Sequence, residues 1–236
     1  MKAFLLGAGL GTRLRPITDT IPKCLVPING RPLLDFWLEL LFTQGIEKVL
    51  INTHYFADQV EKYLENSAWK DRVETVYEKE LLGTAGSIKA NAGFFENDPA
   101  CFIAHADNFT TFDLTAFEQR FHDRPDGTHM TLMTFTTDSP KSCGIVDEDE
   151  NGVVQAFHEK VENPPGNHAN GATYILDQTL LSFIKNIEQN FIDMSTEVIP
   201  HFIGKMNTYH NDRYLRDIGT PGMLARAEKD LQDGKL

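Results

Sequence analysis

Cysteine is scarce: Cys24, Cys101 and Cys143 are three in 236 residues, odd in number and with no C-x-x-C spacing, so neither a disulfide scaffold nor a zinc ribbon is expected. No apolar run approaches the roughly 18 residues that a membrane-spanning helix needs. The apolar start Ala3-Phe4-Leu5-Leu6 turns at once into a glycine loop, too short for a secretory core, so the expected setting is reducing cytoplasm, with no membrane partner. Positive charge is also in deficit. Lys plus Arg number 22 against 34 acidic residues, and the net charge of −12 argues against a nucleic-acid partner. The deficit is uneven, because residues 1–31 hold Lys2, Arg13, Arg15, Lys23 and Arg31 against Asp19 alone. Cations gathered in an acidic protein mark a place for a small polyanion.

Hydrophobic spacing predicts buried strands at Ala3–Leu6, Val49–Ile51, Cys101–Ala104 and Met130–Phe135. Helical periods lie between them, at Leu33–Leu41 with Gly45 as a stop, at Ala57–Leu64 and at Ser87–Phe95. Alternation of this kind implies an α/β fold: a Rossmann-like, open, mostly parallel sheet with helices on both faces. The later chain changes character. Residues 144–160 read as a hairpin turning at Asp149-Glu150-Asn151-Gly152, Ala172–Leu176 as a strand, and Pro221–Gln232 as a helix capped by Thr220. One unit of residues 1–236 is expected, with the residues from roughly 140 onward forming a lobe that closes over the sheet.

The segment Gly7-Ala8-Gly9-Leu10-Gly11-Thr12-Arg13-Leu14-Arg15-Pro16 follows the first strand, where an open α/β sheet offers its crevice. Its glycines let backbone N–H groups converge on phosphate oxygens, and Arg13 adds a forked donor. A dinucleotide loop or a Walker A loop starting at Gly7 would need glycine at Thr12, and Pro16 would break the helix that a dinucleotide loop opens. No nucleophile elbow is present, and Cys24 has no matched base.

With Pro22-Lys23-Cys24-Leu25-Val26-Pro27 added, the pattern resembles the signature of the sugar-1-phosphate nucleotidyltransferases. The resemblance runs from Lys2 to about Thr220 and implies the nucleotide-diphospho-sugar transferase fold, with residues 1–140 mainly binding nucleotide, 141–220 forming a small lobe that mainly binds the sugar phosphate, and 221–236 a C-terminal helix. It implies that Arg13 and Lys23 are catalytic, and that Gly9, Gly11 and Thr12 bind nucleotide together with Glu80, Gly83 and Thr84 of Glu80-Leu81-Leu82-Gly83-Thr84-Ala85-Gly86, a segment expected to face the base, with Gly83 permitting close approach of the ring and Thr84 capping the helix that follows. It implies that Asp107, after the strand Cys101–Ala104, and Asp217 of Tyr214-Leu215-Arg216-Asp217-Ile218-Gly219-Thr220 are the carboxylates for Mg²⁺. Phe157-His158-Glu159-Lys160 and Asn170-Gly171-Ala172-Thr173-Tyr174 resemble the sugar-phosphate segments, so Glu159, Lys160, Asn170 and Gly171 are expected there. An H-x-D metal pair at His105 and Asp107 is the weaker alternative, since no further ligand stands at metal spacing.

The implied substrates are a nucleoside triphosphate and a sugar 1-phosphate. The run Cys143-Gly144-Ile145-Val146 with Asn163-Pro164-Pro165-Gly166 is similar to bacterial mannose- and heptose-1-phosphate guanylyltransferases, with uridylyl transfer, as in muramic acid 1-phosphate uridylyltransferase, close behind. A catalytically silent nucleotide-sugar-sensing subunit of the same fold stays open, as does association into a homo-oligomer.

Overall fold

The computed structural model describes every residue from Met1 to Leu236. The strands, in chain order, are β1 (Lys2–Leu6), β2 (Pro27–Ile28), β3 (Arg31–Pro32), β4 (Val49–Thr53), β5 (Val73–Tyr77), β6 (Ala100–His105), β7 (Asn108–Thr111), β8 (Met130–Thr136), β9 (Gly144–Glu148), β10 (Val154–Glu159), β11 (His168–Asp177), β12 (Met206–His210) and β13 (Tyr214–Asp217). The α-helices are α1 (Leu33–Thr43), α2 (Ala57–Glu65), α3 (Thr84–Ala90), α4 (Leu114–His122), α5 (Gln178–Asn186) and α6 (Pro221–Gln232). The chain divides into two compact units that interleave along the sequence. The first comprises Met1–Leu81, Ala104–Phe112 and Arg213–Leu236, and the second Leu82–Ile103 and Asp113–Asp212.

In the first unit β1 pairs in parallel with β4, and β4 in parallel with β5. All five residues of β4 are buried, as expected of a strand covered on both faces. Helix α1 follows from its spacing: Leu33, Leu34, Trp37, Leu38, Leu41 and Phe42 recur at i, i+3 and i+4 and are buried. Gly45, at φ +105°, lets the chain turn away after it. Trp37 donates from Nε1 to the Asn108 carbonyl at 2.8 Å, so the helix holds β7 by an indole that is otherwise core. Burial of such a side chain contributes roughly 2–3 kcal/mol.

A second ribbon, β7 with β13, is antiparallel and sets Asp217 opposite Asn108. Nothing in the sequence pattern signals it: both strands are four residues long and their side chains are mixed. Helix α6 closes the unit over the predicted span, with the Thr220 hydroxyl accepting from the Met223 N–H.

In the second unit β8 pairs antiparallel with β11 and parallel with β12, while β9 pairs antiparallel with β10 and β11. The mixed α/β class, with parallel strands first and an antiparallel hairpin later, is the one the periodicity predicts. The β9–β10 turn forms as expected: Asp149 Oδ1 accepts from the N–H groups of Asn151 and Val153, and Gly152 takes φ +74°. Two local expectations are corrected. The helix expected over Ser87–Phe95 begins at Thr84, ends at Ala90 and is followed by a separate 3-10 turn at Ala92–Phe95. Thr84 does not cap it; Gly83 stands at the cap, and the Thr84 hydroxyl accepts from the Met194 N–H at 2.7 Å.

Candidate active site

The first unit gathers a charged cluster at the strand ends. Lys23 sits in a single turn after Pro22, only 6% exposed, and its ammonium lies 2.8 Å from Asp107 Oδ2 and 3.1 Å from Asp217 Oδ1. The ribbon explains the meeting: Asp107 immediately precedes β7, and Asp217 stands opposite the next residue on β13. Arg13 Nη2 lies 3.5 Å from Asp217 Oδ2 while the rest of its side chain is 67% exposed. Burial alone would raise the Asp107 carboxyl, but Lys23 and His105 outweigh it and hold the group below the ordinary carboxylate range. Four of the residues singled out in the sequence, Arg13, Lys23, Asp107 and Asp217, therefore stand in one place, although Lys23 and Asp217 alone are 194 positions apart.

The loop between β1 and this cluster is held at defined points. Gly11 takes φ +63°, and a Cβ there would come within 2.9 Å of the Thr18 side chain, whose hydroxyl donates to the Gly11 carbonyl at 2.7 Å. At Gly9 a Cβ would meet nothing within 4 Å, so packing does not require glycine there. The expectation that Gly7 offers its amide to phosphate is corrected, because that N–H donates to Asn52 Oδ1 at 2.7 Å. Thr12 and Arg13 stay exposed while Leu14 anchors the turn in the core.

Sequence reasoning missed two buried polar residues here. Asn52 is 2% exposed in the middle of an apolar strand, and its Nδ2 donates to Glu78 Oε1 at 2.9 Å. Glu78 is 5% exposed, whereas Glu80, singled out in the sequence, is exposed. The signal that could have found Asn52 is a single amide inside the run Val49-Leu50-Ile51-Asn52-Thr53, since a buried polar group must have a purpose or a partner.

Cys24, beside Lys23, is no nucleophile: burial pushes its thiol up to about 12. Among the His, Cys, Asp and Glu side chains no group of three or more stands together as a metal cage, which leaves the H-x-D reading of His105 and Asp107 unsupported.

The second unit holds the other predicted residues. Gly83, at φ +74°, faces the chain: a Cβ there would lie 2.5 Å from the Ile192 carbonyl oxygen, which also accepts from the N–H groups of Ala85 and Gly86. The sequence assigns the Gly83 space to a bound base, and here it admits the Ile192 backbone. Glu159 ends β10 opposite Gly144, and Lys160, at φ +48°, turns its ammonium to 2.9 Å from Glu159 Oε1. Asn170 closes an irregularity in β11, where the register with β8 shifts between Asn170 and Tyr174. Its Nδ2 donates to the Tyr174 hydroxyl at 2.9 Å and its Oδ1 accepts from the Ala172 N–H at 2.8 Å, while Gly171 is buried beside it.

No helix is long and apolar enough to cross a membrane. A family model described as nucleotidyl transferase matches residues 2–234. Mannose-1-phosphate guanylyltransferase of Mycobacterium tuberculosis is 33% identical over 99% of this chain, which spans 65% of that protein's length. D-glycero-alpha-D-manno-heptose 1-phosphate guanylyltransferase of Campylobacter jejuni is 30% identical over 94% of this chain and 96% of its own length. The crystal structure of HddC from Yersinia pseudotuberculosis superposes with a TM-score of 0.82 at 26% identity, covering 98% of this chain and 99% of that one; HddC has also been crystallised with GMP-PN. With its glycine loop, its paired aspartates and a family match over almost its whole length, the chain belongs to the nucleotidyl transferase family.

Proposed function

We propose that this protein transfers a nucleoside monophosphate, guanylyl in the first place, from its triphosphate to a sugar 1-phosphate and releases pyrophosphate. The observation that carries the reading is the convergence of Asp107 and Asp217 on Lys23, with Arg13 on the second aspartate, at the end of the glycine loop. An oxygen of the sugar phosphate attacks the α-phosphorus, the bond to the bridging oxygen breaks, and the electron pair leaves with pyrophosphate. The attacking oxygen is already ionised near neutral pH, so no general base is needed, and catalysis reduces to positioning and charge.

Arg13, exposed and forked, suits the phosphate oxygens of an entering nucleotide, and the compact Lys23 ammonium suits the developing charge. Two carboxylates within 3.1 Å of one cationic nitrogen are aimed at a shared point, and hard oxygen donors fit Mg²⁺ beside substrate phosphates. Asp107 and Asp217 would hold that ion, which when bound neutralises charge on the α-phosphate and the leaving group. Glu159 and Lys160 supply a carboxylate suited to sugar hydroxyls and an ammonium suited to phosphate. The guanylyl preference is supported by the names of the mycobacterial and Campylobacter relatives and by the GMP-PN complex of HddC. Three cysteines, none of them in a disulfide, suit a reducing cytoplasm.

Pyrophosphate release measured with GTP, UTP, CTP, ATP and dTTP against a panel of sugar 1-phosphates, with and without Mg²⁺, tests the reading. Metal-dependent release is expected with GTP and mannose or heptose 1-phosphate. Preference for UTP would make the protein a uridylyltransferase, and silence across the matrix would replace catalysis by nucleotide-sugar sensing.

A further inference from the structure

We infer that Asn52 is a positioning residue that ties the start of the glycine loop to Glu78, so that the loop and the segment entering Glu80 are set by one buried amide. The inference deepens the nucleotide-binding reading above and rests on it for its kinetic consequence. Asn52 lies on β4, opposite Leu6 of β1 on one side and Val76 of β5 on the other. A buried amide in such a strand is costly unless each of its groups is paired. Here its Oδ1 accepts from the Gly7 N–H at 2.7 Å and its Nδ2 donates to Glu78 Oε1 at 2.9 Å.

Both ends of this bridge are fixed independently. At one end, a Cβ on Gly7 would come within 3.1 Å of the Asn52 carbonyl oxygen and 3.3 Å of Ile51 Cγ2, so the loop leaves β1 against the neighbouring strand. At the other, the Glu78 N–H donates to the Thr53 carbonyl at 2.8 Å, and His54 Nδ1 lies 2.7 Å from the Glu78 carbonyl oxygen. The bonds therefore run across the carboxyl ends of three parallel strands, from the residue that opens the loop to the residue that leaves β5. Because the Gly7 N–H is committed to Asn52, the direction in which the loop leaves β1 is set before any ligand arrives.

The bridge has a defined polarity, which makes it testable by reversal. Asn52→Asp keeps an acceptor for Gly7 but sets a carboxylate against Glu78. Adding Glu78→Gln restores one donor and one acceptor with the polarity exchanged and the local charge unchanged. In N52D, hydrogen exchange of the loop peptide covering residues 3–12 should quicken and KM for the triphosphate rise, each about tenfold, with KM for the sugar phosphate little changed. In N52D/E78Q both should return most of the way. Wild-type exchange and KM in N52D, or a double variant no better than N52D, would overturn the inference. If N52D fails to fold, recovery of folding in the double variant supports the pairing and its failure rejects it. Exchange is read on the substrate-free chain, so a protein that turns over no nucleotide would sink the proposed function while leaving this inference to be decided by exchange alone.

Discussion

Gly219 needs no unusual backbone conformation, yet a methyl group at this position would lie 2.7 Å from Asp217 Oδ2 and 2.9 Å from Arg13 Nη2. Gly219→Ala therefore displaces a carboxylate and a guanidinium together. Metal-dependent turnover should fall by about 10²-fold, with the melting temperature nearly unchanged, because misplacement near 1 Å is costly in rate while the atoms displaced are the ends of side chains 38% and 67% exposed, not packed core. Steady-state kinetics beside a thermal melt would check it. Gly144 has a similar part in the second unit, where an added Cβ would stand 2.7 Å from Glu159 Oε2 and overlap the Phe157 ring. Gly144→Ala should raise KM for the sugar phosphate by about tenfold or more and leave that for the triphosphate alone; the opposite pattern would remove Glu159 from the sugar's side. The cysteines divide by environment. Cys24 and Cys101 are buried and the Cys24 thiol is pushed up to about 12, whereas Cys143 is partly exposed. Iodoacetamide near pH 8, followed by peptide mass spectrometry, should label Cys143 and spare the others.

At the scale of elements, the β7–β13 ribbon carries the argument, because it turns two distant aspartates into neighbours. Side chains alternate along β13, so Asp217 reaches Lys23 while Arg216 reaches the other way, to Asp230 of α6 at 3.4 Å. Asp230 is 2% exposed and also meets the Tyr214 hydroxyl, Arg226 and Lys235. Lys235, hydrogen-bonded to it, leads the partners that hold its carboxyl below the usual range despite burial. A depressed folded value means that the stabilisation is present above the ordinary aspartate pKa and is lost as pH falls through the folded one. Asp230→Asn should cost about 2 kcal/mol at neutral pH, since its cationic partners remain partly hydrated, and lower Tm by about 4–8 °C. Melts across pH should show the gap between wild type and variant narrowing below about pH 4. Elements also differ in how far local pattern determines them. The β9–β10 turn was legible because Asn151-Gly152 is chemically suited to it, whereas α3 starts three residues before its apolar run, where Ile192 accepts from the N–H groups of Ala85 and Gly86.

On the scale of the whole molecule, a chain of net charge −12 offers a polyanion little general attraction, and the positive charge that matters is local. Lys23 is an internal counter-ion for both aspartates, so the fold does not depend on a bound cation to relieve their repulsion. Removal of divalent metal with EDTA should therefore abolish pyrophosphate release while leaving Tm within about a degree, since a ligand that is not needed for folding shifts stability only through its own binding. A large drop in Tm would make the metal structural. By itself the sequence determined the α/β class, the strands and helices with strong periodicity, and the residue types at fixed offsets around Gly9–Pro16 and Pro22–Pro27, because hydrophobic period and turn chemistry are local properties of the chain. Only the tertiary structure decided which of those residues meet. The pairing of Asp107 with Asp217 depends on the register of two short strands, the burial of Glu78 in place of exposed Glu80 on the end of β5, and the commitment of the Gly7 amide on an asparagine 45 residues away. Each is a contact between distant segments, fixed by strand pairing and by the requirement that buried polar groups find partners, and neither leaves a period in the sequence to read.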